Sequence, residues 1–97
     1  MDNKQGVKVM LVTALRCKKC NSVVFSRSTH DFRWCSCESC AIDGGFDYTS
    51  VTGSPEDYEL VKVETSKTKE ELYDDWNLSK DEFGLIKNAK KGVDYYN

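Results

Sequence analysis

The sequence predicts a small α+β fold, a zinc-ribbon-like antiparallel β core followed by two short C-terminal helices. Three observations predict it. Two close cysteine pairs, Cys17-Lys18-Lys19-Cys20 and Cys35-Ser36-Cys37, bracket a segment that one tetrahedral ion could close into a loop. Short β-branched and aromatic runs surround these cysteines as far as Thr65, as strands require. Beyond Thr65 the period becomes helical, with two capping signatures in succession. The chain therefore divides into a β core at 1–65 and a helical extension at 66–97, packed on the core or used for self-association.

Each element follows from local chemistry. Val7 to Leu15 reads as the first strand, with Val7, Val9, Leu11 and Leu15 on one face and Lys8 and Met10 on the other. Val23-Val24-Phe25 is the second and Phe32 to Cys35 the third. Phe32 and Trp34, two residues apart, point to the same side and are expected in the core. Adjacent Gly44 and Gly45 mark a turn, because glycine reaches positive φ without steric cost. Phe46 to Val51 and Tyr58 to Thr65 are two further strands, separated by the Gly53-Ser54-Pro55 loop. Thr68-Lys69-Glu70-Glu71 has the form of a capping box, and Leu72, Tyr73 and Trp76 share a face of the helix it starts. Ser79-Lys80-Asp81-Glu82 repeats the signal, with Phe83, Ile86 and Ala89 at helical spacing and Gly92 placed to end a second helix. Gly84 inside that helix costs about 1 kcal/mol relative to alanine. The tail from Val93 to Asn97 suits an edge strand or an ordered tail equally.

With 97 residues the chain is one small domain, marginal without a staple. Five cysteines could belong to a secreted disulfide scaffold, but no secretory leader precedes them and an odd count leaves one thiol over. A reducing, cytoplasmic setting is expected. The longest apolar run, Val9-Met10-Leu11-Val12, is too short to cross a bilayer, so no membrane partner is expected. The formal net charge is −2, divided as +4 over Met1 to Ala41 and −6 over Ile42 to Asn97. A zinc held by four thiolates makes the first part only mildly basic, which argues against a nucleic-acid partner and leaves room for a small anion in a local pocket.

Cys17 and Cys20 form a clear first ligand pair, since two intervening residues let both thiolates turn toward one ion. The second pair is Cys35 with Cys37 or Cys37 with Cys40, and spacing alone favours the latter. Either way four thiolates close the site to water and make the zinc structural. No helix start follows Cys17-Lys18-Lys19-Cys20, which argues against a redox-active dithiol there.

The stretch Cys17-Lys18-Lys19-Cys20-Asn21, Ser26, His30-Asp31-Phe32, Cys35-Ser36-Cys37 and Asp43-Gly44-Gly45-Phe46-Asp47-Tyr48 resembles a family of small Cys-rich proteins of phages and bacteria, largely described as domains of unknown function. The resemblance runs from about Arg16 to Thr52. It implies Cys35 and Cys37 as the second ligand pair, completing Cys17 and Cys20, with Cys40 as the spare thiol. It also implies a context, phage counter-defence in the host cytoplasm, in which a small protein can act by sequestering a nucleotide immune signal.

The residues allow such a site. Arg27, His30 and Arg33 can bind phosphate oxygens, and Gly44-Gly45 lets backbone N–H groups approach an anion. Asp31, Asp43 or Asp47 can accept from a base edge, and Phe46, Tyr48, Phe32 or Trp34 can stack on the base. With one histidine, no phosphate loop and no nucleophile elbow, a non-enzymatic protein is expected. The expected function is capture of a cyclic dinucleotide by a homo-oligomer, in a pocket within or between its subunits. The competing expectation is an adaptor that grips a protein partner, for which acidic Asp74-Asp75 and aromatic Tyr73 and Trp76 offer a surface.

Overall fold

A computed structural model of the chain describes residues 10–87 and 95–96. The strands are β1 Met10–Cys17, β2 Val23–Val24, β3 Arg33–Trp34, β4 Ala41–Asp43, β5 Ser50–Thr52, β6 Tyr58–Thr65, β7 Leu85–Ile86 and β8 Tyr95–Tyr96. A 3-10 turn covers Pro55–Asp57 and one α-helix, α1, covers Lys69–Asn77. A five-stranded sheet has the order β7-β2-β1-β6-β8, and a three-stranded sheet the order β3-β4-β5. All pairings are antiparallel except β6 with β8. The backbone of the larger sheet is the β1–β6 ladder, which pairs Met10 with Thr65 at one end and Cys17 with Tyr58 at the other.

The larger sheet buries both faces, each against a different layer. Val12, Ala14, Val23 and Val63 pack with Phe25 and with Leu72 of α1. Leu15, Cys17 and Val24 pack with Cys35, Cys40 and Ile42 from the smaller sheet side. This corrects the expected apolar face of β1. Val12 and Ala14 are buried, Leu11 is 61% exposed, and Leu15 is buried because the smaller sheet covers only the cysteine end of its face. Val7 and Val9 lie outside the described residues. The pair Phe32 and Trp34, expected in the core, is exposed and forms a T-shaped contact at 5.3 Å on the edge of the smaller sheet.

Residues Phe46 to Tyr48 do not extend the strand that follows. Gly44 accepts from the N–H groups of Asp47 and Tyr48, and this turn delays β5 to Ser50. Both glycines are required by close approach as well as by positive φ. A Cβ on Gly44 would lie 2.2 Å from the Tyr48 carbonyl oxygen, and one on Gly45 2.5 Å from the Ser28 carbonyl carbon.

The expected α+β architecture with two C-terminal helices is corrected. The described chain is mostly antiparallel β in two sheets with one short helix. Helix α1 starts where its capping box predicts: Thr68 Oγ1 accepts from Glu71 N–H at 3.1 Å, and Glu71 accepts from Thr68 N–H at 2.8 Å. The second signature fails because its backbone donors are taken. The Asp75 carboxylate accepts from Glu82 and Phe83 N–H at 2.8 and 3.0 Å, and its carbonyl accepts from Lys80 N–H at 3.0 Å. Ser79, Asp81 and Gly84 take φ of 56°, 53° and 94°, which no α-helix contains. Leu85 and Ile86 then pair with Val24 and Val23 as β7. Ala89 and Gly92 lie outside the described residues.

The same Asp75 is 1% exposed and receives Arg27 Nη1 at 2.6 Å, while Arg27 Nε reaches buried Asp31 at 2.8 Å. Burial works to raise the Asp75 carboxyl, but the Glu82 and Phe83 amides and the Arg27 guanidinium outweigh it and hold it below the ordinary carboxylate value. A group more acidic in the folded chain than in the unfolded one stabilises the fold above its unfolded pKa, and that contribution disappears as pH falls through the folded value. Asp75→Ala is expected to cost about 3–5 kcal/mol at neutral pH, because it removes a buried carboxylate from Arg27 and leaves the Glu82 and Phe83 N–H groups without their acceptor. In denaturant titrations the gap between wild type and variant narrows as pH falls below about 4. A gap that is small at neutral pH, or indifferent to acid, would count against this account.

Candidate metal centre and adjoining cleft

Two backbone turns carry the cysteines, and they are built alike. In the first, Cys17 N–H donates to Ser22 C=O at 2.9 Å, Asn21 N–H donates to Cys17 C=O at 2.9 Å, and Asn21 takes φ 60°. In the second, Cys35 N–H donates to Cys40 C=O at 2.9 Å, Glu38 N–H donates to Cys35 C=O at 3.0 Å, and Glu38 takes φ 61°. Each turn thus closes a five-residue hydrogen bond around a left-handed residue, pointing its thiols to one side. Arg16 holds the first left-handed residue by donating Nη2 to Asn21 Oδ1 at 2.8 Å and Nη1 to Glu59 at 3.1 Å. Ser22 joins the turns: its Oγ accepts from Ser36 N–H at 3.1 Å and lies 2.9 Å from Cys20 Sγ.

The sulfurs of Cys17, Cys20, Cys35 and Cys37 all lie within 4.8 Å of one another, so these four could hold a metal ion. Cys37 Sγ is 3.7 Å from both Cys17 Sγ and Cys35 Sγ. The edge of a tetrahedron with metal–sulfur bonds of about 2.3 Å is about 3.8 Å, so the spacing suits four-coordinate binding. This is the set the family resemblance implies and differs from the Cys37/Cys40 pairing that spacing favours. Cys40 is fully buried, its Sγ 3.8 Å from Cys35 and outside the four-sulfur group.

The thiols differ in acidity. Burial pushes the Cys17 thiol up to about 11, ahead of the opposing backbone bonds. Burial acts on Cys20 in the same sense, but the Ser22 hydroxyl and the Ser22 and Cys37 amides outweigh it and bring that thiol down to about 6. Cys35 is likewise lowered, its burial outweighed by the Cys40 and Ser39 amides. Burial pushes Cys40 upward, away from the thiolate. Cys20 is therefore the readiest ligand, Cys35 is eased toward the thiolate, and Cys17 must give up its proton to an incoming cation.

The structure disperses the eight residues expected to bind an anion. Arg27 is 2% exposed and spent on Asp31, Asp75 and, at 3.1 Å, Asp81. Asp31 is consumed by the same pair. Arg33 bonds Asp81 and the Phe83 carbonyl, both at 3.4 Å. Gly45 N–H donates to Ser26 Oγ at 2.9 Å, and Gly44 packs against Tyr48. Asp43 is half-buried at the end of β4, while Tyr48 and His30 are exposed. His30 lies against the Trp76 ring at 6.2 Å between centroids.

An open cleft of about 660 Å³ does lie beside this region, bounded by Ser28 to His30, by Phe46 and Asp47, and by Lys69, Glu70, Tyr73 and Asp74 of α1. Of the eight, Arg27 and His30 line it, joined by Phe46 and Asp47 from the wider set of base contacts. Lys69 Nζ sits over the Phe46 ring at 5.5 Å, and Tyr73 and Trp76 form an aromatic contact at 5.5 Å. Tyr73 and Asp74 of this wall belong to the surface expected for a protein partner, although Leu72, Tyr73 and Trp76 were also expected to share one face. The helix instead buries Leu72 and Asp75 and leaves Tyr73 45% exposed. Asp75, expected on that surface with Asp74, is instead buried; the signal for this was a carboxylate near a helix C-terminus, unfavourable there unless something else claims it.

Fold and site together define a small Cys-rich, β-rich protein with a thiol cluster able to hold a metal ion. Residues 9–53 match a protein family described as a domain of unknown function (DUF7695). No curated protein and no solved structure matches the chain at a significant level. The family match spans β1 to β5 and all five cysteines, whereas α1 and its wall of the cleft lie outside it. Among the described residues no helix is long and apolar enough to cross a membrane.

The protein is expected to retain about one metal ion per chain after dialysis, measured by elemental analysis. Titration in weak buffer near neutral pH should release at least the Cys17 proton, so apparent affinity rises about tenfold per pH unit for each thiol still protonated. Stripping the metal with a chelator should lower stability on the order of 10 kcal/mol. A metal-free chain with an unchanged melting temperature would sink the assignment.

Proposed function

We propose that the protein is a non-enzymatic recognition module, a zinc-braced scaffold whose cleft docks a basic segment of a partner protein. Zinc is the ion best suited to four thiolates at tetrahedral spacing, and such a site keeps no position open for substrate. One observation carries the reading: the charge left at the cleft is acidic. Arg27 is neutralised by Asp31 and Asp75 within the fold, and the walls then offer Asp47, Glu70 and Asp74 against Lys69. Two phosphates would meet net repulsion there, whereas a lysine or arginine side chain meets carboxylates beside ring faces. Lys69 over Phe46 already places an ammonium on one of those faces. The volume suits one or two side chains, and Phe46, Tyr73 and His30 supply the apolar lining such sites use.

The test offers the zinc-loaded protein fluorescent arginine-bearing peptides, the same peptides with glutamate in place of arginine, and a panel of cyclic and linear nucleotides. Binding of the basic peptides that weakens with salt supports the proposal. A Glu70→Lys, Asp74→Lys double variant should lose about tenfold in peptide affinity with its fold intact, since both carboxylates are exposed. Tight retention of a nucleotide that is released unchanged on heating would overturn the proposal in favour of signal sequestration.

A further inference from the structure

The fifth cysteine stands opposite a metal ligand. The β3–β4 register pairs Arg33 with Ile42 and Trp34 with Ala41, so Cys35 and Cys40 are the next facing residues, closed by the 2.9 Å bond from Cys35 N–H to Cys40 C=O. Facing residues of an antiparallel pair have Cα atoms about 4.5–5.5 Å apart, inside the range of about 4.4–6.8 Å that a disulfide spans. Their sulfurs already lie 3.8 Å apart. On its other side Cys35 Sγ is 3.7 Å from Cys37 Sγ, and Cys37 is exposed while Cys35 and Cys40 are buried. Three sulfurs therefore run from solvent to core with contact-distance steps.

We propose that Cys37, Cys35 and Cys40 form a thiol relay through which a peroxide discharges the metal and leaves a Cys35–Cys40 disulfide. The Cys37 thiolate attacks one peroxide oxygen, the O–O bond breaks, and hydroxide leaves to become water on taking a proton, giving a sulfenic acid. Cys35 sulfur attacks Cys37 sulfur, forming an S–S bond and releasing the hydroxyl group as a second water. Cys40 attacks Cys35 sulfur as the Cys35–Cys37 bond breaks, and its proton passes to the departing Cys37 sulfur. Two thiols become one disulfide and the peroxide becomes two waters. The ion is lost because Cys35 can no longer bind it as a thiolate. Cys40 thereby traps the oxidised state in the interior, where a bulky reductant has less access than at Cys37. This inference uses the metal cluster and is independent of what occupies the cleft.

The experiment treats zinc-loaded protein with hydrogen peroxide, follows released zinc with a colorimetric chelator, alkylates free thiols and maps disulfides by mass spectrometry. The expected result is one zinc released per disulfide, with Cys35 joined to Cys40 and Cys37 alkylated. Cys40→Ser and Cys40→Ala should load zinc like wild type, stop at a Cys35–Cys37 disulfide or a Cys37 sulfenic acid, and recover zinc binding in mild thiol reductant at least tenfold faster than wild type. Cys40 found free in wild-type protein that has lost its zinc would overturn the proposal, and that measurement does not depend on either variant folding.

Discussion

The guanidinium of Arg27 is the point to which separate parts of the chain are tied. A charge that is 2% exposed is tolerated only when its donors are satisfied, and here Asp31 comes from its own loop while Asp75 comes from α1. Burial works to lower the arginine pKa, but Asp31 and Asp75 outweigh it and raise it further, so the cation persists under all ordinary conditions. Asp31 also accepts from Arg27 N–H at 2.9 Å, and Ser26 Oγ lies 2.7 and 2.6 Å from the Ser28 and Asp31 carbonyl oxygens, to either of which its one proton can be donated. The loop between the two cysteine turns is thus shaped by its own polar groups. The helix is then docked on it by one carboxylate. That carboxylate gathers the following backbone, which is why residues after α1 return to the sheet as β7 and do not continue as a helix.

The second constraint is the thiol cluster, which works at the opposite end of the large sheet. The cluster that packs Leu15, Val24 and Ile42 includes Cys17, Cys35 and Cys40, so part of what fills that core is sulfur. With a metal bound, Cys17 and Cys20 at the end of β1 would be joined to Cys35 and Cys37 after β3, fastening the small sheet to the large one. Without it, the layers on that face are held by Leu15, Val24 and Ile42 with Val51, Tyr58 and Leu85 around them. A small domain commonly replaces missing core with a metal in this way. Lys18 N–H, donating to Asp57 C=O at 2.8 Å, extends the clamp to the turn before β6.

Much of the fold was legible locally. β6 spans Tyr58–Thr65 as its pattern predicts, β2 falls on Val23–Val24, and the Thr68 capping box starts α1 because both halves of that motif lie within four residues. The apolar face of β1 was not legible, because both faces carry aliphatic side chains and only the extent of the covering layers distinguishes them. The exposure of Phe32 and Trp34 was illegible for a related reason: their strand lies at a sheet edge with its outer face uncovered. Spacing narrowed the second ligand pair to two alternatives, and only the folded positions of the sulfurs place Cys35 in the four-sulfur group and Cys40 outside it.

By itself the sequence determined the strands whose period is unambiguous, the cap of the helix, the glycine turn and the presence of a soft-metal ligand set, since these depend on residues close together along the chain. Tertiary structure decided which carboxylates neutralise Arg27, what ended the second helical signature and what charge remains in the cleft. Arg27 and Asp75 are separated by 48 positions. No local pattern reveals such a partner, because the desolvation that makes the pair obligatory exists only after the loop and the helix have packed together.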